Sequence, residues 1–187
     1  MSERFVCTAL PLAGLVRVQR QPSHDRRGLF ERIFCIHELA AAGWTQPIAQ
    51  INHSVTRRRG SLRGLHYQRP PHAEVKLVSC LSGEVWDVAV DLRAGSPTFL
   101  RWHAERLSSV NGCALIIPPG FAHGFQTLSD DAELIYLHSA AYVPDAESAV
   151  HANDPRLAIP WPLPVTDVSD RDRAHAPLSS SFEGVNL

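Results

Sequence analysis

Fourteen prolines and eleven glycines break the 187-residue chain into short runs. Proline lacks the amide proton that a helix interior or a central ladder needs, and glycine favours the turns between elements. Few intervals can hold a helix of three turns, so the runs must be mostly strands. Within 75–93, Trp86, Val88, Val90 and Leu92 share one parity, while Asp87, Ala89 and Asp91 share the other. That period of two describes a strand with one apolar face and one mixed face turned to water or to a cavity. Leu81-Ser82-Gly83-Glu84 reads as a hairpin turn just ahead of it. Residues 99–107, 113–117, 121–128 and 133–142 follow as strands, separated by turn-forming clusters such as Pro118-Pro119-Gly120 and Ser129-Asp130-Asp131. Even spacing of this kind predicts an all-β sandwich or barrel such as a jelly roll, with a few short helices. One helix is expected over 35–42, closed by Gly43, and another from Ser169. Nothing divides the chain, so 1–187 reads as a single domain, with a loose Ser-rich tail from Ser179.

Charge and composition narrow the function classes. Eighteen basic residues against nineteen acidic ones leave a net charge of −1, which argues against a nucleic-acid polymer or a membrane surface as partner. The 44% apolar and 20% charged content excludes wholesale disorder. No apolar run approaches the ~18 residues needed to span a bilayer. The start, MSERFVCTAL, lacks the basic-then-apolar layout of a signal peptide, so a cytoplasmic location is expected. Cys7, Cys35, Cys80 and Cys113 form no CxxC pair and read as buried thiols rather than a disulfide framework.

Polar residues concentrate where a plain barrel would need few. Gln50, Asn52 and Ser54 share parity, which suits either a solvated face or a ligand-binding one. Arg57 to Arg59 read as a surface loop. Arg63, set among small and apolar neighbours, needs a partner: a structural ion pair, or a phosphate that its planar fork can grip. His66 has three readings: a satisfied structural residue, a general base, or a metal ligand with His72, Glu74 and His123. Metal-binding barrels usually place two histidines two residues apart; here Gly64 and Gln68 occupy those places, and that spacing fails. Lys76 either points outward from its strand or has a task inside. Tyr136 suits a core aromatic, and Ser169-Asp170-Arg171-Asp172 suits a capping box with Asp172 as its acidic member.

Taken in order, the motifs resemble the dTDP-4-dehydrorhamnose 3,5-epimerase family over almost the whole chain, from about Ala9 to Leu178. They are Asp25-Arg26-Arg27-Gly28-Leu29-Phe30-Glu31, Gln50-Ile51-Asn52-His53-Ser54, Arg63-Gly64-Leu65-His66-Tyr67-Gln68, Lys76-Leu77-Val78, the run from Gly83 to Arg93, Ser96-Pro97-Thr98-Phe99, the run from Ile117 to Phe125, the run from Tyr142 to Glu147, Asn153-Asp154-Pro155 and Ile159-Pro160-Trp161-Pro162. The resemblance implies a cupin-type jelly roll that works without metal or cofactor, as a homodimer with exchanged N-terminal strands. It implies a substrate, dTDP-4-dehydro-6-deoxy-D-glucose, on the route to activated L-rhamnose for bacterial surface polysaccharides such as the O-antigen of lipopolysaccharide. Position by position, it implies His66 as proton acceptor, Tyr136 as proton donor, Asp172 as the carboxylate orienting the histidine, and Lys76 beside the keto oxygen. Arg27, Phe30, Glu31, Gln50, Asn52, Arg63, His123, Glu147 and Arg171 fall on substrate-binding positions, with Arg27 and Glu31 expected from a neighbouring subunit. Ala141 and Ala152 stand where the family often has an aromatic and a tryptophan, and the smaller side chains would widen the sugar pocket. Relatives that invert only one carbon provide the alternative activity; a metal-dependent cupin oxygenase and a non-catalytic sugar-nucleotide binder are the more distant ones.

Overall fold

The computed structural model describes residues 4–187. Its strands are β1 (Phe5–Ala9), β2 (Val16–Arg20), β3 (Ser23–Asp25), β4 (Gly28–Phe30), β5 (Gln50–Thr56), β6 (Ser61–Gln68), β7 (Lys76–Ser82) and β8 (Glu84–Asp91). They continue as β9 (Trp102–Ser108), β10 (Cys113–Ile117), β11 (Phe121–Thr127), β12 (Ala132–His138), β13 (Glu147–Ala149) and β14 (Asp167–Val168). Two short helices, α1 (Ile36–Leu39) and α2 (Asp170–Arg173), complete the list. A six-stranded sheet runs β1-β2-β10-β7-β12-β5, and a second runs β13-β6-β11-β8-β9 with β14 added in parallel to β6. This is the jelly roll expected from the spacing of the turns.

Strand parity divides the apolar residues into three packed layers. Cys113, Leu115 and Ile117 of β10 point between the sheets, against Val85, Ala89, Phe121 and Phe125 of the second sheet. Ala114 and Ile116, of opposite parity, pack outward beneath Leu39 and Trp44, which α1 and its exit turn supply. That helix ends as expected, on a short 3-10 turn closed by left-handed Gly43 (φ +98°), which the missing Cβ permits. Val88, Val90 and Leu92 form the outer layer of the second sheet with Leu157 and Ile159, and Trp86, Trp161, Phe182 and Val185 pack against it.

Four expectations need correction. Gly83 does not close a hairpin: β7 and β8 belong to different sheets, so the turn carries the chain across the sandwich. Asp87 and Asp91, expected on a face turned to water or to a cavity, are both fully buried and line neither. Asp91 accepts hydrogen bonds from Arg93, Ser96 and Thr98, at 2.7, 2.5 and 2.6 Å to Oδ2. The tail from Ser179 is docked: the Val185 amide donates to the Leu92 carbonyl at 2.7 Å, and Phe182 stacks at a tilt on Phe99. Its apolar residues join Leu157, Ile159 and Trp161 in packing the outer layer of the second sheet. Finally, only Cys80 and Cys113 are buried; Cys35 is half-buried and Cys7 exposed.

Candidate active site

A cavity of about 940 Å³ opens between the two sheets, within the size range of small-molecule sites. Gln50, Asn52 and Ser54 line it together, so the polar parity of β5 marks a cavity face. Arg63 and His66 also line it. Three residues apart, they should lie on opposite faces of a regular strand. A bulge brings them to one side: His66 is opposite His123 and Arg63 opposite Phe125, so β6 carries one residue more than β11 over the same interval. Glycines permit this approach. A Cβ on Gly64 (φ +121°) would lie 2.5 Å from Gly124 Cα, and one on Gly124 would lie 2.5 Å from the Arg63 carbonyl.

His66 Nε2 is 2.8 Å from Asp172 Oδ1. Asp172 is only 6% exposed and comes from α2, where the Ser169 hydroxyl accepts its amide at 3.0 Å, the cap expected from the motif. Its second oxygen accepts the Gly64 amide at 3.2 Å. Burial raises its pKa, but the hydrogen bond and charge of His66, then Gly64 and Ser169, outweigh it, leaving the carboxyl below its usual range. It therefore stays ionised and holds one imidazole nitrogen, leaving Nδ1 as the other.

Lys76, 8% exposed, points inward. Its ammonium lies 3.1 Å from Glu74 Oε1 and donates to the His66 carbonyl at 3.3 Å. Burial works against the Glu74 charge, but bonds from His138, Lys76 and Gln68 prevail and bring its pKa down to about 2. Tyr136 stands on β12, in the sheet opposite His66. Its hydroxyl is 3.3 Å from Ser54 Oγ, and burial pushes the phenol well above its ordinary value, so it keeps its proton at neutral pH. His123 Nε2 is 2.8 Å from Asp87 Oδ2 behind the cavity wall. At the mouth Glu147 accepts the Tyr142 hydroxyl at 2.6 Å and pairs with Arg171.

Of the expected site residues, His66, Tyr136, Asp172, Lys76, Gln50, Asn52, Arg63, His123, Glu147 and Arg171 all line this one cavity. Arg27, Phe30 and Glu31 do not. Arg27 pairs with Asp25 at 2.6 Å, Glu31 with Arg20 at 2.9 Å, and Phe30 is 71% exposed on the β3–β4 hairpin. Ala141 and Ala152 are not among the lining residues, although the Ala141 carbonyl accepts from Gln68 of the cavity wall at 3.2 Å. The alternative metal set does not converge: His72, Glu74 and His123 do not gather with His66 into a group of close donor atoms. Sequence reasoning missed His138 in the wall, offered Glu74 only as a metal ligand, and left Arg57 and Arg58, which line the mouth, as a surface loop. The clustered arginines were the available signal for this last pair.

The sequence profile described as dTDP-4-dehydrorhamnose 3,5-epimerase matches residues 9–180. The chain belongs to that family. The dTDP-4-dehydrorhamnose 3,5-epimerase of Salmonella typhimurium is 48% identical over 158 residues, 82% of this chain and 84% of its own. The dTDP-4-dehydrorhamnose 3-epimerase of Streptomyces niveus is 40% identical over 165 residues, 88% of this chain and 79% of its own. The crystal structure of the dTDP-6-deoxy-D-glucose-3,5-epimerase of Legionella pneumophila, in complex with dTDP-4-keto-L-rhamnose, superposes with a TM-score of 0.87 at 38% identity, covering 98% of this chain and 92% of that one. Among the described residues no helix is long and apolar enough to cross a membrane.

Proposed function

We propose that this epimerase-family chain inverts C3 and C5 of dTDP-4-dehydro-6-deoxy-D-glucose, giving dTDP-4-dehydro-L-rhamnose. The observation that carries the reading is that a carboxylate-held imidazole and a protonated phenol face one cavity from opposite sheets. The C4 ketone acidifies hydrogens on both flanking carbons, because the carbanion delocalises onto the keto oxygen. His66 Nδ1 removes such a proton, and Asp172 stabilises the imidazolium that forms. Lys76, ion-paired with Glu74, sits where it can stabilise the enolate oxygen. Tyr136 then returns a proton to the other face, inverting the carbon. Electrons are conserved throughout, so the reaction needs no redox cofactor. Gln50, Asn52, Arg63, His123, Glu147 and Arg171 bind substrate, and the Arg57, Arg58, Arg63 and Arg171 guanidinium groups suit the diphosphate.

A cytoplasmic homodimer completes the reading. Arg27 and Phe30 are carried on an exposed hairpin outside their own cavity, with Glu31 just beyond it, a position from which they can serve the cavity of a second copy. Inversion at C3 alone is the second reading, favoured by the likeness to the Streptomyces niveus 3-epimerase.

The test is turnover of the 4-keto sugar in deuterated water, read by NMR. The proposal expects deuterium and inversion at both carbons, and neither in a folded His66→Ala variant. Exchange and inversion at C3 alone would establish the second reading, and normal turnover by His66→Ala would overturn both.

A further inference from the structure

His175 takes no part in the chemistry above, yet it faces the dyad. Its ring meets that of His66 edge-on, with centroids 6.1 Å apart. Its Nε2 is buried and has no hydrogen-bond partner, an uncommon state for a polar atom. Donor atoms of His66, Asp172 and His175 all lie within 4.8 Å of one another.

We propose that His66, Asp172 and His175 form a site for a divalent transition cation of the zinc class, whose occupation switches the enzyme off. The second half of this statement rests on His66 being the base. Two imidazoles and one carboxylate are a common donor set for such ions, which sit about 2.0–2.2 Å from each donor. Two rings bound to one ion have centroids roughly 5–6 Å apart by the same bond lengths. The observed separation is close to this, so a modest shift of His175, which lies just beyond α2, would close the site. His66 and Asp172 are already held in place by β6 and by the cap on α2. Arg171, the cation next to Asp172 in the chain, has its charge engaged by Glu147.

The consequence for the base follows from proton placement. In the free dyad, Nε2 of His66 carries the ring proton toward Asp172 and Nδ1 holds the lone pair. When a metal binds Nε2, that N–H bond breaks and the ring's one proton passes through solvent to Nδ1. The lone pair that would attack the sugar hydrogen is then used up.

Chelator-treated protein is titrated with Zn²⁺ by calorimetry and with Co²⁺ by visible absorption, and turnover is measured with and without Zn²⁺. We expect one ion per chain, a tetrahedral Co²⁺ spectrum, and inhibition that a chelator reverses. His175→Ala should keep its turnover without metal within about twofold, yet bind Zn²⁺ roughly 100-fold more weakly, as expected when a ligand is lost. Equal Zn²⁺ affinity in wild type and His175→Ala would overturn the site. So would the absence of binding by wild-type protein at micromolar Zn²⁺. Binding that His175→Ala removes, without any inhibition, would leave the site standing and overturn His66 as base.

Discussion

Replacing Glu74 by glutamine tests whether the cavity's ammonium depends on a buried counter-charge. Glu74 and Lys76 are 6% and 8% exposed, so solvent does little to screen either. The Glu74 pKa of about 2 lies some 2.5 units below its ordinary 4.5. At 1.36 kcal/mol per unit, the folded state gains roughly 3 kcal/mol from keeping this group ionised. Breaking a buried pair costs about 3–5 kcal/mol by general experience, which agrees. Because the folded pKa is depressed, this stability is fully present above about pH 4.5 and is lost as the pH falls toward 2. Urea denaturation should therefore show Glu74→Gln less stable by roughly 3 kcal/mol at pH 7. The gap should shrink from pH 4.5 to pH 3, as the wild type loses its advantage. A difference below about 0.5 kcal/mol at pH 7, the scale of a surface pair, would refute the reasoning. A gap that stays constant down to pH 3 would refute it equally.

Other expectations are more local. Tyr136→Phe removes a hydroxyl whose one side-chain partner is 3.3 Å away, so stability should change by no more than about 1 kcal/mol. Deuterium should still wash in from the His66 face while inversion falls roughly 10²–10⁴-fold; unchanged inversion would point to another donor, such as Tyr142. Gly64→Ala places a Cβ against Gly124 at positive φ and should destabilise the fold by more than about 2 kcal/mol in urea denaturation. Burial pushes the Cys80 thiol up to about 11, so iodoacetamide at pH 8 should spare it in the native protein and modify it after denaturation, as peptide mass spectrometry would record.

Local signals foretold what local physics decides. Proline and glycine spacing gave away the strands, Gly43 the end of α1, and the Ser169–Asp172 pattern the cap of α2, because each rests on a few neighbouring residues. Contacts between distant segments were hidden. The crossing at Gly83 depends on which strand each neighbour pairs with, and a tight turn looks the same within a sheet or between sheets. Burial of Asp91 requires Ser96 and Thr98 to fold back over it. Parity alone would separate Arg63 from His66; the bulge that unites them comes from pairing with β11. Family motifs supplied most of the membership of the cavity, while the places of Glu74, Arg57 and Arg58 in its lining emerged only once the sheets were assembled.

The dyad spans 106 residues of chain, from β6 to a helix that follows all the strands. A ribosome making this protein would thus complete both layers of the sandwich before it added the carboxylate that orients the imidazole. The nascent barrel would have most of its cavity wall, with Arg57, Arg58 and Arg63, yet lack a working base. A premature stop just ahead of Asp167 would spare the strands from β1 to β13 and delete α2, together with the tail that packs on the outer layer of the second sheet. Such a product could still fill with ligand and compete for it without turning it over. Turnover is in this sense a report of synthesis completed past Asp172, which a binding assay on the same molecule would not provide.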